Sequence, residues 1–536
     1  IFDSFLDPFR TGFGSAIGGQ SINNTNKTSY YIFENTLTYN TTINKHLIEA
    51  LVGSVGQKFR YENSSIQTRN FSGGSISTPN AGAVLFDASA TKSERANASF
   101  ISRLNYSFDD TYLLTANFRA DGSSAFGPDN RWGYFPSFSV GWRVSNEEFL
   151  QNVDVIDDFK IRAGWGIVGN DQINNFDYLG RVGSGANYPF AGVAQPGTFP
   201  ATIQNLTLRW EESQQTNFGL DIELFNRRLS FTFDAYLKDT NDLLLNAPLP
   251  TATGFDSAIQ NVGSLRNKGI EFSFNSTNIL KDDFSWNTGF NISFNRNEVI
   301  DILGQQRLLA PIAGGRGEAS ILIEGEPLGS LYGYIFGGVD PQTGNAFYID
   351  QNGESTFNPS QEDRTIIGDP NPDFFFGFTN TFTYKNFDLF IFIQGSYGND
   401  LLNATRIETE GMIGPKNQAL SVTNRWRNPG DITNIPRASF GNIDNSRVST
   451  RFIEDGSYVR FKTLTLSYNL PTKWIDFLKI NSLKFYATGE NIFTLTDYSG
   501  FDPEVNAFGG SNTVQGIDFG TYPQTRNLIM GVSATF

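Results

Sequence analysis

The sequence predicts an all-β protein, a transmembrane antiparallel β-barrel with long loops at one end of the sheet and short turns at the other. Three observations predict it. Apolar and polar residues alternate with period two along most of the 536 residues, as side chains on opposite faces of a strand do. Tight turns and long polar loops alternate from one strand to the next. The last run, Asn527 to Phe536, places Leu528, Met530, Val532, Ala534 and Phe536 on one face. Its other face carries Asn527, Gly531, Ser533 and Thr535, with Ile529 the one large apolar intruder.

Taken in order, a strand lies around Tyr30 to Asn40, and another opens at His46 after a tight turn. A long loop is expected from Tyr61 to Glu94, then a tight turn at Phe108-Asp109-Asp110, then a second long loop from Gly169 to Leu208. Phe218, Leu220, Ile222 and Leu224 form one apolar stripe, and Leu229, Phe231, Phe233, Ala235 and Leu237 form the next, across the turn Asn226-Arg227. Phe284, Trp286, Phe290, Ile292 and Phe294 alternate with Ser and Asn. The run Leu331 to Asp350 is less regular. Lys385-Asn386 is a tight turn before Phe387, Leu389, Ile391 and Ile393, whose opposite face is mixed. Long loops follow from Asn399 to Asp455 and from Thr496 to Thr521. About sixteen strands result. Many exceed the ~5–6 residues of an ordinary globular strand and reach the ~9–11 that a tilted strand needs in hydrocarbon.

Helices are excluded as the spanning element, because no stretch approaches ~18 consecutive apolar residues. Only a closed barrel then satisfies every backbone group in lipid. Short turns on one side and long loops on the other are the pattern of outer-membrane barrels, which places Phe536 at the periplasmic rim. A terminal aromatic on an amphipathic strand resembles the signal by which the outer-membrane assembly machinery recognises its clients, so Phe536 is the expected C-terminal assembly signal.

Composition narrows the function. There is no cysteine, which argues against a secreted disulfide-linked array and excludes thiolate chemistry. The net charge of −15 argues against nucleic acid as a partner. His46 is the only histidine, which excludes zinc sites built on several histidines. Adjacent carboxylates at Asp109-Asp110, Glu147-Glu148, Asp157-Asp158, Glu211-Glu212 and Asp282-Asp283 sit mostly in turns or strand mouths, where solvated charge explains them. No catalytic residue, metal site or cofactor is expected. Asp340 to Ser355 is oxygen-rich but lacks the spacing of a calcium loop, so β-turns are the expected reading. Gly314 to Gly317 follows no strand-to-helix pattern and gives no phosphate cradle. Tyr332, Tyr334, Phe336 and Trp426 could stack on a sugar, or belong to interfacial aromatic belts. The sequence names no substrate contact.

Several stretches go beyond a generic barrel. They are DGSSAFGPDNRWGYFPSFSVGWRVSNEEFL from Asp121, LRWEESQQTNFGLDIELFNRRLSFTFDAYLKDTNDLLL from Leu208, LPTATGF, EGEPLGSLYGY, GDPNPDFFFGF, SYVRFKTLTLSYNLP and GENIFTLTDYSGFDPEVN from Gly489, with DFGTYPQTRNLIMGVSATF closing the chain. In this order they resemble the SusC/RagA-type TonB-dependent transporters. The resemblance implies a 22-stranded barrel with an N-terminal plug, and a SusD-like surface lipoprotein closing over it. It implies import of oligosaccharides or peptides, driven through the TonB–ExbB–ExbD complex, with dimers of transporter–lid pairs as an assembly. Residues 1–536 then correspond to the C-terminal portion of that barrel. By this resemblance the signal, the TonB-contacting segment, the plug and the first strands are expected to lie outside this chain. A siderophore or vitamin receptor, a passive porin and a soluble all-β adhesin are the alternatives.

Overall fold

The computed structural model describes residues 2–10, 12–302, 307–311, 317–476, 480–511 and 513–536. Sixteen antiparallel strands form one sheet, each paired with the next in chain order. They are β1 (Phe2–Leu6), β2 (Gln20–Ile43), β3 (His46–Phe71), β4 (Gly82–Phe108), β5 (Tyr112–Ser123), β6 (Trp132–Arg143), β7 (Ile156–Asn170) and β8 (Glu211–Leu224). Then come β9 (Leu229–Asn241), β10 (Ser264–Lys281), β11 (Phe284–Asp301), β12 (Phe374–Tyr384), β13 (Phe387–Tyr397), β14 (Tyr458–Asn469), β15 (Ser482–Thr496) and β16 (Asn527–Thr535).

The short turns fall at one end, as expected. Asn44, Asp109, Asp110, Asn226 and Lys385 all take positive φ, between 51° and 57°. That backbone matches the twist of the flanking strands, and Asn and Asp reach it at low cost. Neighbouring turns are tied together: Lys45 pairs with Asp109 at 2.5 Å, and Arg143 reaches Asp110.

The period-two pattern sorts the two faces. Trp132, Tyr134, Phe138, Val140 and Trp142 of β6 are all exposed on one face. Phe100 stacks on Trp132 at 6.0 Å, and Phe118 on Tyr134 at 6.3 Å. At the turn end, Tyr112 and the Trp142 indole both donate to one Glu147 oxygen, at 2.7 and 2.9 Å. This is a lipid-facing band with an aromatic girdle at each interface. Asn117, Arg119, Asp121, Ser137 and Ser139 occupy the opposite, lumenal face.

Two expectations need correction. The loop placed at Tyr61 to Glu94 is mostly strand: β3 and β4 pair from His46↔Phe108 to Phe71↔Gly82, with one register shift between Gln67 and Thr68, leaving only 72–81 as connection. A ladder of backbone hydrogen bonds needs no apolar face once the strands leave the membrane. A polar Ser/Thr/Asn run therefore continues the hairpin. The strands within Leu331 to Asp350 do not belong to the barrel wall. Leu331–Val339 and Ala346–Ile349 form a small separate sheet with Glu318–Leu322, Ser355–Thr356 and Arg364–Gly368. A further ribbon, Leu244–Pro248 with Ser257–Asn261, caps the turn out of β9.

Three long loops share one core at the loop end. Ala319, Leu331, Leu402, Ala404, Ile407, Val448, Phe452, Val514 and Ile517 are buried together. Strand Asp400–Asn403 pairs with Ile453–Asp455 and, in parallel, with Ile517–Asp518. The helix Ala404–Thr409 follows, its first turn capped by the Asn403 side chain. Among the described residues the sheet has two free edges. There β1 pairs with β2 only over Gln20 to Asn24, no strand pairs with Thr25–Ile43 on that side, and β16 pairs only with β15.

Candidate functional site

A groove of about 880 Å³ lies on the lumenal face of β3 to β8. Small residues make it concave. Gly164 and Gly166 of β7 stand opposite Ser139 and Ser137, and a Cβ on Gly166 would come within 2.6 Å of the Ser137 Cβ. Paired polar side chains line it. Arg119 holds Asp121 in a two-pronged pair at 2.8 and 3.1 Å. Arg103 donates to Asn117 at 2.7 Å, Asn117 to Ser137 at 3.2 Å, and Gln215 to Asn217 at 2.8 Å. Below it, Arg162 bridges Asp221 at 3.1 Å and Asp234 at 2.7 Å. Leu51, Ile101, Phe135, Val168 and Trp210 line it beside these groups, so the groove offers a solute or a protein surface both hydrogen-bonding partners and apolar contact.

Above the groove, the external loops are fastened by buried charge. Arg451 reaches Glu410 at 2.9 Å, and Arg406 joins Glu410 at 3.2 Å to Glu454 at 2.8 Å. Burial lowers Arg451 to about 10, against the attraction of Glu410. Burial pushes Glu454 up, but the Ser499 backbone N–H, the Ser499 hydroxyl and Arg406 together hold it below the usual carboxylate range.

The last loop is pinned to the wall itself. Arg460 of β14 is 2 % exposed and contacts Asp502 at 2.5 Å and Glu504 at 2.6 Å. Its Nε donates to Thr494 at 2.9 Å. Burial raises Asp502, yet the Glu504 N–H, the Arg460 guanidinium and the Gln524 N–H outweigh it and set its pKa below 3.8. A depressed carboxylate contributes stability that is complete above its ordinary pKa and is lost as pH falls through the lower folded value. The loop at 497–526 should therefore keep its amide-exchange protection at pH 5 and lose it only below the ordinary carboxylate range. Loss already at pH 5 would contradict this clamp.

The aromatic candidates are absorbed by structure. Tyr334 is 3 % exposed, with Arg447 5.4 Å from its ring centroid and Tyr348 beside it. Tyr332 lies under Arg364 at 4.5 Å, and Phe336 packs edge-on against Tyr348. The Trp426 ring covers Gly344, whose positive φ and lack of a Cβ permit the contact, and its indole donates to the Pro341 carbonyl at 2.9 Å. Asp340 and Asp350 accept N–H groups of their own turns, as the β-turn reading expects. His46 contacts the Tyr106 hydroxyl at 2.8 Å in the turn-end girdle. Asp110, Asp157 and Glu147 bind turn and girdle groups, and Glu211 bonds Asn170 and the Leu244 N–H. Gly314, Gly315 and Arg316 lie outside the described residues. Sequence reasoning missed Arg460 and its carboxylates, because no local pattern joins partners 42 and 44 residues apart.

A family profile described as "TonB dependent receptor-like, beta-barrel" matches residues 2–492. The chain belongs to the TonB-dependent receptor family. TonB-dependent receptor P3 of Formosa agariphila is 36 % identical over 548 residues, covering 98 % of this chain and 54 % of that protein. TonB-dependent receptor SusC of Bacteroides thetaiotaomicron is 32 % identical over 474 residues, covering 85 % and 45 %. A solved structure titled "Structure of the RagAB peptide transporter" superposes with a TM-score of 0.87 at 27 % identity, covering 97 % of this chain and 56 % of that one. The chain thus spans about half the length of the curated relatives it matches. This receptor barrel is of the SusC/RagA type and lies in the Gram-negative outer membrane as a multi-pass β-barrel, its long loops external.

Proposed function

We propose that the chain is the barrel part of a TonB-dependent importer for oligosaccharides or peptides, working with a SusD-like surface lipoprotein. The observation that carries this is sequence similarity to TonB-dependent receptors, SusC among them, along 85–98 % of the chain. The lumenal groove joins amides, hydroxyls and paired charges to aromatic side chains such as Phe135 and Trp210, a mixture that suits a sugar or a peptide. Leu420, Ile432 and Phe440 on one external loop, and Phe501 and Tyr522 on another, are more than four-fifths exposed. Apolar side chains held out from a mouth suit a protein lid. TonB–ExbB–ExbD supplies the energy in this reading, the barrel assembly machinery receives Phe536, and no residue has a catalytic role. A deletion strain grown on single polysaccharides and on peptides tests the proposal. Selective loss on one of these substrates, restored by the gene but not in a tonB background, is the expected result. Unchanged growth and uptake on all of them would sink it.

Two further expectations belong to this reading. Cysteine placed at Asn434 should react with an impermeant maleimide on whole cells, and cysteine at Asn386, in the turn between β12 and β13, should not. Equal labelling would overturn the orientation. The unpaired β2 edge, Thr25 to Ile43, cannot face lipid, since each unsatisfied backbone group there costs several kcal/mol. We infer that further strands, about six in a 22-stranded barrel with an N-terminal plug, seat between β2 and β16. The purified native polypeptide should then exceed 59.5 kDa by intact mass spectrometry. A closed barrel of that mass would refute it.

A further inference from the structure

β2, β3 and β4 rise well beyond the lipid band, and their outward face carries a compact charged patch. The registers align it in three rows across the three strands. Lys27 stands opposite Glu62, and Glu62 opposite Lys92; Ser29 opposite Arg60, and Arg60 opposite Glu94; Tyr31 opposite Lys58, and Lys58 opposite Ala96. No register shift interrupts either pairing between these rows and the turn end. The patch therefore shares its face with Phe33, Leu37 and Tyr39 of β2 and with Phe100 and Leu104 of β4, all exposed to lipid.

Its height is set by the girdle. Phe100 stacks on Trp132 at the outer interface. The rows begin four residues above Phe100 and end eight above it, roughly 10–20 Å higher along tilted strands. That zone holds the phosphorylated headgroups of the outer leaflet. Charge favours the same occupant. Four cations face two carboxylates in the patch, in a chain whose net charge is −15. The four cations share Glu62 and Glu94: Arg60 directs two N–H groups at one Glu62 oxygen and lies 3.6 Å from Glu94, Lys58 lies 3.2 Å from Glu94, and Lys92 3.7 Å from Glu62. Two positive charges stay in excess, and the Lys58, Arg60 and Lys92 side chains remain 44–71 % exposed. Arg and Lys in this density are phosphate ligands.

We propose that the outward face formed by Lys27, Lys58, Arg60 and Lys92 binds the phosphate groups of an outer-leaflet glycolipid of the lipid A class. The site anchors the tall β2–β4 wall laterally and sets its depth. It rests on the outer-membrane placement and is independent of cargo and of TonB coupling.

The native polypeptide, purified in detergent, is titrated with lipid A and with the same lipid after enzymatic dephosphorylation, and bound lipid is read by native mass spectrometry. Wild type should prefer the phosphorylated form by ~10-fold or more, as expected for a net excess of two surface cations. The variant Lys27→Gln/Lys58→Gln/Arg60→Gln/Lys92→Gln should lose the preference while keeping its heat-modifiable mobility on gels. Glu62→Gln/Glu94→Gln should retain or increase it. Equal binding of the two lipids by wild type, or an unchanged preference in the cation variant, would overturn the proposal. So would complete displacement of the lipid by millimolar inorganic phosphate, or loss of a dimer in the cation variant with lipid preference intact.

Discussion

Replacing Arg460 by methionine is expected to release the last external loop from the barrel wall. Asp502 would keep the N–H groups of Glu504 and Gln524 but lose its only cation among the contacts described, in a site where its side chain is 4 % exposed. Removing one partner of a buried pair costs about 3–5 kcal/mol, because the other charge stays desolvated. That exceeds what a surface loop can absorb without opening. Hydrogen exchange across 497–526 should accelerate by about two orders of magnitude or more, and a protease should cut there first. Heat modifiability should persist, since the lipid-facing band is untouched. Arg460→Lys should rescue little, because one ammonium cannot serve Asp502, Glu504 and Thr494 together. Arg460→Met with Asp502→Leu should recover part of the loss. Unaltered exchange in the single variant would show that the loop is held by something else.

Glu410→Ala should loosen the external subdomain as a whole. Glu410 is 5 % exposed and serves both Arg451 and Arg406, and its Oε1 also accepts from Ser421 at 2.9 Å. Without it, Arg451, 4 % exposed, loses its carboxylate partner while Arg406 keeps Glu454. The expected cost is again about 3–5 kcal/mol, now beside the core of Ile407 and Phe452. Trypsin should then cut at Arg406 and Arg451, which the native fold protects. Glu410→Gln, which keeps the shape and part of the hydrogen bonding, should sit between. Equal protection of Arg451 in all three proteins would mean that packing alone holds the loops.

The barrel wall was legible because its signal is local. The alternation from Phe284 to Phe294 and the turn residues Asn226 and Lys385 each act within a few residues, and each strand pairs with its sequence neighbour. Legibility failed where the chain leaves lipid. Between Tyr61 and Glu94 the apolar face disappears, so a continuing hairpin reads as a loop. Leu331–Val339 reads as a strand from its composition, but an irregular run gives no sign of its partners, Glu318–Leu322 and Arg364–Gly368, which build the external sheet. The aromatic candidates carried a second ambiguity: an exposed stacking face and a buried cation partner have the same sequence signature. Tyr334 turns out to be of the structural kind. The groove residues Arg119, Asp121, Ser137 and Gly166 were not singled out from sequence, because cavity shape arises only when six neighbouring strands curve together.

β6 carries Trp132 and Trp142 ten residues apart on one face. At ~3.4 Å per residue and a tilt of ~40°, they mark interfaces about 26 Å apart. That span matches the ~25 Å apolar band suited to the thin outer membrane, and is several ångströms less than an ordinary ~30 Å hydrocarbon core. In an ordinary bilayer the lipids around this wall would have to shorten to meet it, and the barrel, stiffer than the bilayer, would impose a collar of thinned membrane. Two such collars overlap at less cost than they persist apart, since mismatch is charged per unit of perimeter. Receptors of this kind should cluster in long-chain bilayers and disperse in short-chain ones, with acyl length alone as the control.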